Sequence, residues 1–304
     1  MNRKTLSVAA AVAVGIAVAL TAPATTAVAD TPPPPVTPML IGGHPAATAP
    51  PGITSLQYDA PEHGEQYVDY HTCGGALVFR GWVFTAAHCV IDPPDGPPAA
   101  RSSMIGRFNA DAAPIPTADK KFHVRVGSLD RLAGGETSTV TKIVVHPGWK
   151  WGDGAPKTKV YDAAMLKLDH LLQQSTVPLA RDAARRGDKV SVYGWGVTEP
   201  DSTRSGLPRH LQQLDTRVTS PSRCAAAFLS GDEICADNPS GTDGGCYGDS
   251  GAAALATING VPQLVGTSSR SADPQFCGVQ PDVFTSSPEL RDWIYHVART
   301  GNAT

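Results

Sequence analysis

The stretch Cys246-Tyr247-Gly248-Asp249-Ser250-Gly251 governs the reading of this chain. A serine preceded by Asp, followed by Gly and with a second Gly two residues back is poor material for a core strand. It makes sense where the Ser250 hydroxyl is exposed and nearby backbone N–H groups point at one spot. Those are the needs of a nucleophile beside an oxyanion hole. Alone, the string is also ordinary turn chemistry. Two upstream segments decide between the readings: Thr85-Ala86-Ala87-His88-Cys89 and Tyr161-Asp162-Ala163-Ala164-Met165-Leu166-Lys167-Leu168. They give the chain order His88, Asp162, Ser250. A serine hydroxyl is a weak nucleophile at neutral pH and needs a base within hydrogen-bond reach, for which histidine is suited. The imidazole in turn needs a buried carboxylate to fix its tautomer. His88 stands out because Ala86 and Ala87 leave room for close packing and Cys89 anchors the loop. The other histidines, His71 among them, lack such a context and are read as background. Asp162 precedes an apolar run, at the start of a buried strand where an unpaired carboxylate is costly.

The N-terminus reads as an export signal: Arg3 and Lys4, an apolar run over 6–20, and Ala27-Val28-Ala29 before Asp30. The competing membrane-anchor reading meets a short run followed by Pro23. Residues 1–29 are therefore expected to be a signal peptide, and the rest secreted. The net charge of −3 and the lack of a basic cluster argue against nucleic acid or a membrane surface as partner. Charged residues make up only 17%, against 30 Gly and 27 Pro, which suits a loop-rich β protein, either one large unit or two fused barrels. Six cysteines in an exported chain imply three disulfides, with the pairing open. No C-x-x-C or H-x-x-x-H spacing occurs, so no metal is expected.

Residues 30–39 form a Pro-rich leader, read as extended. Short alternating runs over 75–79, 123–126, 140–145, 189–193, 212–218 and 263–267 read as strands. One long helix is expected at the C-terminus, with Ser287 as N-cap, Pro288 at the first position and Leu290, Ile294 and Val297 on one face. The Pro-, Ala- and Asp-rich segment 91–121 has no periodicity and is either a solvated insertion or a loop overhanging the cleft.

These motifs, in this order, resemble the secreted trypsin/chymotrypsin-type serine endopeptidases of bacterial kind. The resemblance runs from about 40 to 300. It rests on Leu40-Ile41-Gly42-Gly43, Cys73-Gly74-Gly75, the segments around His88, Asp162 and Ser250, Gly194-Trp195-Gly196, and Pro281-Asp282-Val283-Phe284-Thr285. It implies an all-β fold of two six-stranded antiparallel Greek-key barrels with the site between them and a short C-terminal helix. The protease domain would span 40–304, divided near 170. It further implies His88, Asp162 and Ser250 as a catalytic triad, Gly248 and Ser250 as oxyanion donors, and Ser269 as a hydrogen-bond partner of Asp162. The disulfides it selects are Cys73–Cys89, Cys224–Cys235 and Cys246–Cys277, worth about 3 kcal/mol each in the chain-entropy model. Residues 30–39 become a propeptide, whose removal frees a Leu40 ammonium to pair with Asp249. Met39 is not a trypsin-like cleavage site, so a different activating protease is implied. A monomer acting on proteins or peptides without a cofactor completes the expectation.

Several positions depart from the family pattern. Ala252-Ala253 replaces Gly-Pro. Arg270 stands where an aromatic residue is usual, which removes an apolar wall and offers a cation to acidic or polar substrate side chains. Ser271 replaces a glycine and narrows the mouth of the specificity pocket. At the pocket base the trypsin branch has an Asp, but here Gly244 stands there, and Asp243 is expected to point elsewhere. Asp282 occupies a glycine position on the facing wall, so the carboxylate is moved across the pocket. Crustacean collagenolytic proteases have Gly and Asp at the same places and are broad in specificity. Cleavage after Arg and Lys, with weaker activity after large apolar residues, is the resulting expectation; a purely apolar preference is the alternative. A silent protease-like binding protein is a rival class, although that class usually loses the Ser or the His, and here all three residues remain. An α/β-hydrolase esterase needs Gly at position 252 and a different triad order.

Overall fold

The computed structural model describes residues 40–91, 115–150, 159–198, 206–227, 229–273 and 276–304. The expected signal peptide, the Pro-rich leader and most of the 91–121 insertion lie outside the described residues. Among the described residues, no helix is long and apolar enough to cross a membrane.

A two-residue strand β1 (His44–Pro45) is followed by a closed barrel. Its strands are β2 (Ile53–Asp59), β3 (Tyr70–Phe79), β4 (Trp82–Thr85), β5 (Lys121–Val126), β6 (Glu136–Val145) and β7 (Ala164–Leu168). They run antiparallel in the order β2-β3-β4-β7-β6-β5, and β5 pairs back onto β2. Period-two alternation explains the inward faces: Phe122, Val124 and Val126 of β5 are buried while the residues between them are not. They meet Leu56, Val83 and Leu166 in one apolar cluster.

The second half holds β8 (Lys189–Gly194), β9 (Gln212–Arg217), β10 (Glu233–Ala236), β11 (Ala253–Ile258), β12 (Val261–Ser271) and β13 (Asp282–Ser286). These form a seven-stranded sheet in the order β1-β9-β8-β11-β12-β13-β10. The ends of β9 and β10 are drawn together by a Val218–Ala236 bridge, with Thr219 N–H on the Cys235 carbonyl at 2.8 Å and Asp237 N–H on the Arg217 carbonyl at 2.8 Å. Six strands thereby close on themselves. The seventh, unanticipated strand is β1, which adds to the outer edge of β9 through His44–Gln213 and Pro45–Gln212. An edge position tolerates Pro45 because no ladder donor is required of it.

The C-terminal helix α1 is Arg291–Thr300, starting later than its sequence signals imply. Ser287 does not cap it: its hydroxyl donates to the Leu264 carbonyl at 2.8 Å, and Ser287 to Leu290 forms a turn. The apolar face is as expected, with Leu290, Ile294 and Val297 buried. That face joins a cluster drawn from both halves, including Phe84 and Met165 from the first and Trp195, Leu255 and Leu264 from the second. The three disulfides are Cys73–Cys89, Cys224–Cys235 and Cys246–Cys277.

Candidate active site

Strand β4 delivers the chain to Ala86 and Ala87, both fully buried, and a single 3-10 turn at Ala87–Cys89 presents His88. The Cys73–Cys89 bridge ties this turn to β3. Asp162 precedes β7 and is fully buried. Its Oδ1 accepts the His88 backbone N–H at 3.0 Å, and its Oδ2 lies 2.7 Å from His88 Nδ1. The Ser269 hydroxyl, from the other half of the molecule, donates to the same Oδ2 at 2.7 Å. Burial opposes ionisation of Asp162, but His88 and these donors hold its carboxyl below the usual range. Thr285 fixes the backbone as well, its hydroxyl donating to the Asp162 carbonyl at 3.0 Å.

Ser250 is partly exposed on the loop between β10 and β11. That loop is stitched to the His88 side: the Ser250 carbonyl accepts Gly74 N–H at 2.7 Å. Gly251 lies so close that a Cβ there would stand 2.3 Å from Thr85 Oγ1 and 3.3 Å from Ala86 N. His88, Asp162 and the Ser250 loop therefore share one seam between the halves. The two peptide planes that carry the Gly248 and Ser250 N–H groups have their carbonyls occupied. Tyr247 C=O accepts Val197 N–H at 2.8 Å and Asp249 C=O accepts Ala252 N–H at 2.8 Å. In a trans peptide the N–H points opposite to its carbonyl, so the Gly248 and Ser250 N–H groups are turned away from those partners. Gly248 has φ 97°, in the region that favours glycine, and a Cβ there would meet Gly196 Cα at 3.0 Å.

His71, read as background from sequence, is buried beneath this loop. Its Nε2–H donates to the Gly248 carbonyl at 3.0 Å and its Nδ1 accepts from Ser55 Oγ at 2.8 Å. Burial first, and then the nearby Arg131 charge, push its imidazole down to about 3, so it is neutral. Nothing local in the sequence marks it, because its partner is 177 positions away.

Asp249 is fully enclosed. Its oxygens accept Gly196 N–H at 2.8 Å and Cys246 N–H at 3.0 Å. Gly194 and Gly196 leave the space it fills: a Cβ on either would come within 2.3 Å of its carboxylate. Burial pushes its carboxyl up to about 7, against the pull of those two amides. Leu40 is fully buried beside it, its Cδ1 lying 3.4 Å from where a Gly194 Cβ would stand.

Gly244 and Asp282 face one another, and a Cβ on Gly244 would lie 2.9 Å from Asp282 Oδ2. That oxygen accepts Gly245 N–H at 2.6 Å. Burial, chiefly, raises the Asp282 carboxyl to about 7; the Asp249 charge adds to this, while Gly245 and Ser271 oppose it. Ser271 pairs directly across from Asp282 and spends its hydroxyl on that carboxyl. Asp243 is turned away, accepting Ser240 N–H at 2.9 Å. Arg270 differs from its sequence reading. Its guanidinium is engaged with Glu233, at 2.5 and 2.9 Å, rather than offered to a substrate side chain.

Comparison with known proteins agrees with this architecture. The family model described as Trypsin matches residues 40–294. Chymotrypsin-like elastase family member 1 of Macaca fascicularis is 31% identical over 241 residues, 74% of this chain and 78% of that protein. A trypsin of Pleuronectes platessa is 27% identical over 84% of this chain and 88% of its own length. The solved structure of neuropsin, a serine protease expressed in the limbic system of mouse brain, superposes with a TM-score of 0.62 at 21% identity. It covers 85% of this chain and 99% of that one, a likeness of fold. This chain is a serine endopeptidase and belongs to the trypsin family.

Proposed function

We propose that this is an exported, monomeric zymogen whose mature form, residues 40–304, cleaves peptide bonds by a Ser250–His88–Asp162 triad. The observation that carries the reading is the fully buried Asp162 carboxylate, which holds His88 Nδ1 at 2.7 Å beside the Ser250 loop. His88 takes the Ser250 proton as the hydroxyl oxygen attacks the scissile carbonyl, and the N–H groups of Gly248 and Ser250 receive the oxyanion. The proton then passes to the leaving amine, and water repeats the sequence to release the acyl group. Proteolysis after Met39, by an enzyme without trypsin-like specificity, frees the Leu40 ammonium for Asp249. Gly244 and Asp282 line the specificity pocket, where an ionised Asp282 favours Arg and Lys over large apolar residues.

A second reading, an apolar preference, is favoured by the burial of Asp282 and its bond to Gly245. The test has two parts. A fluorophosphonate should label the matured protein at Ser250 and not its Ser250→Ala variant; absence of labelling sinks the enzymatic reading in favour of a silent binding protein. Values of kcat/KM on matched substrates ending in Arg, Lys, Phe, Leu and Ala should then favour the cations by a margin that collapses in Asp282→Gly. A preference for Phe or Leu, unmoved by the substitution, establishes the apolar reading instead.

A further inference from the structure

Arg270 lies where the pairing of β12 with β13 slips. Ser268 faces Phe284 and Arg270 faces Val283, so Ser269 is the extra residue. A bulge re-aims the side chain it carries. Here it turns the Ser269 hydroxyl onto Asp162 Oδ2. Beside it, the donors of Arg270 are fully committed. Nε and Nη2 donate to the Ala227 carbonyl at 3.1 and 2.9 Å, and Nη1 and Nη2 donate to the two oxygens of Glu233. Nη1 also reaches Ser269 Oγ at 3.3 Å. The Glu233 side chain is fully buried, and its Oε2 accepts Ser230 N–H at 2.8 Å.

A buried ion pair is weak evidence of a stabilising role, because apolar residues of similar size often serve as well. What they cannot do is fix a proton. A serine hydroxyl has one hydrogen, and an oxygen that accepts from a guanidinium keeps that hydrogen for another partner. The only carboxylate bonded to Ser269 is Asp162 among the described residues.

We propose that the Glu233–Arg270 pair is a positioning device: it locks the Ser269 hydroxyl with its proton on Asp162, and so holds the carboxylate that orients His88. The contacts run without a gap from Glu233 through Arg270 and Ser269 to Asp162 and His88. The inference rests on the triad reading above and adds two residues to it. It also gives Arg270 a role facing the interior rather than the substrate.

The experiment is a double-mutant cycle on matured enzyme, between the substitution Glu233→Met with Arg270→Met and the substitution Ser269→Ala. Competent sites are counted by active-site titration, and kcat and KM are measured on the best-cleaved amide substrate. The paired methionine variant should lose about 10-fold in kcat, as for one charge-assisted hydrogen bond, with KM within about twofold of the parent. Once Ser269 is alanine, the same paired substitution should cost nothing further. An equal loss with or without the Ser269 hydroxyl, or a rise in KM alone, overturns the proposal. If the paired variant does not fold, Arg270→Lys keeps the charge but not the planar fork. It should show the same kcat loss, and parental kcat in that variant overturns the proposal. His88→Ala serves as the control: parental turnover there defeats the triad reading itself, whatever the Arg270 variants do.

Discussion

Cutting the chain before Leu40 should change how its stability depends on pH, and the size of the change follows from Asp249. That carboxyl is buried, bonded to two amides, and pushed from 3.8 up to about 7. The shift is roughly 3 units at about 1.4 kcal/mol per unit, so ionising Asp249 inside the uncut protein costs about 4 kcal/mol. The sign is that of a raised carboxyl. Between about pH 4 and pH 7 the folded form keeps a proton that the unfolded chain has released, so stability falls as pH rises through that window. A Leu40 ammonium beside Asp249 reverses the preference, because an opposite charge favours the ionised form. The fall attributable to Asp249 then disappears. The assay is denaturant unfolding of proteins spanning 30–304 and 40–304, both carrying Ser250→Ala to prevent self-cleavage, from pH 4 to pH 8. The two should be alike near pH 4 and differ by up to about 4 kcal/mol at pH 8, the cut form being more stable. Titrating groups away from the cut, His71 included, are the same in both forms, and Asp282 shifts in the same direction as Asp249 because it feels that charge, so the difference reports on this pair of carboxyls. The active counterparts should differ in turnover in the same sense. Superimposable stability curves, or equal turnover by both forms, would refute the reasoning.

Two further outcomes follow from buried groups. Asp282 is raised to about 7 in the uncut chain and by less once Leu40 pairs with Asp249, so the Arg-to-Phe ratio of kcat/KM in the matured enzyme should climb as pH rises toward 7 and be flat in Asp282→Asn; a constant ratio in the parent removes Asp282 from cation recognition. His71 is held near 3 against an ordinary 6.5, so the folded form binds fewer protons between those values and stability should fall by up to about 5 kcal/mol as pH drops through them. His71→Gln should flatten that part of the unfolding curve, and an unchanged slope rules out the assignment.

What the sequence made legible was local. Alternation in Lys121–Val126 and in Lys189–Gly194 marks strands because the side-chain period is set by the strand itself. The packing demands around His88 and Ser250 left small residues at fixed offsets, which can be read in the string. What was illegible depended on partners far along the chain. β1 is two residues long and exists only because β9 offers an edge. The helix begins at Arg291 because Ser287 is drawn to Leu264, a strand away. His71 could not be told from an exposed histidine without knowing that Gly248 would lie above it. Arg270 is pointed at the substrate by the family resemblance, because an aromatic wall of the subsite usually stands at that position. The bulge at Ser269 and the buried Glu233 determine its direction, and neither has a local signature.

The two buried carboxylates are not independent, and under the proposed activation their coupling would join maturation to specificity. Consecutive residues hold them: Gly245 N–H donates to Asp282 and Cys246 N–H donates to Asp249. The charge of Asp249 is among the causes that raise Asp282. In the uncut chain the charge of Asp249 therefore makes Asp282 harder to ionise, and a carboxyl raised to about 7 is only partly charged near neutral pH. An ammonium from Leu40 placed against Asp249 cancels the charge that Asp282 feels, so Asp282 can ionise at lower pH. Ile41 is already bridged to Gly244, its carbonyl accepting Gly244 N–H at 2.9 Å, so the segment that would carry the new terminus is anchored at the pocket base. On this reading one proteolytic event does two things through one electrostatic field: it completes the charge pair beneath the oxyanion loop, and it turns a partly neutral pocket into an anionic one. Cation preference at the cleavage site would then be acquired with activation rather than built into the zymogen.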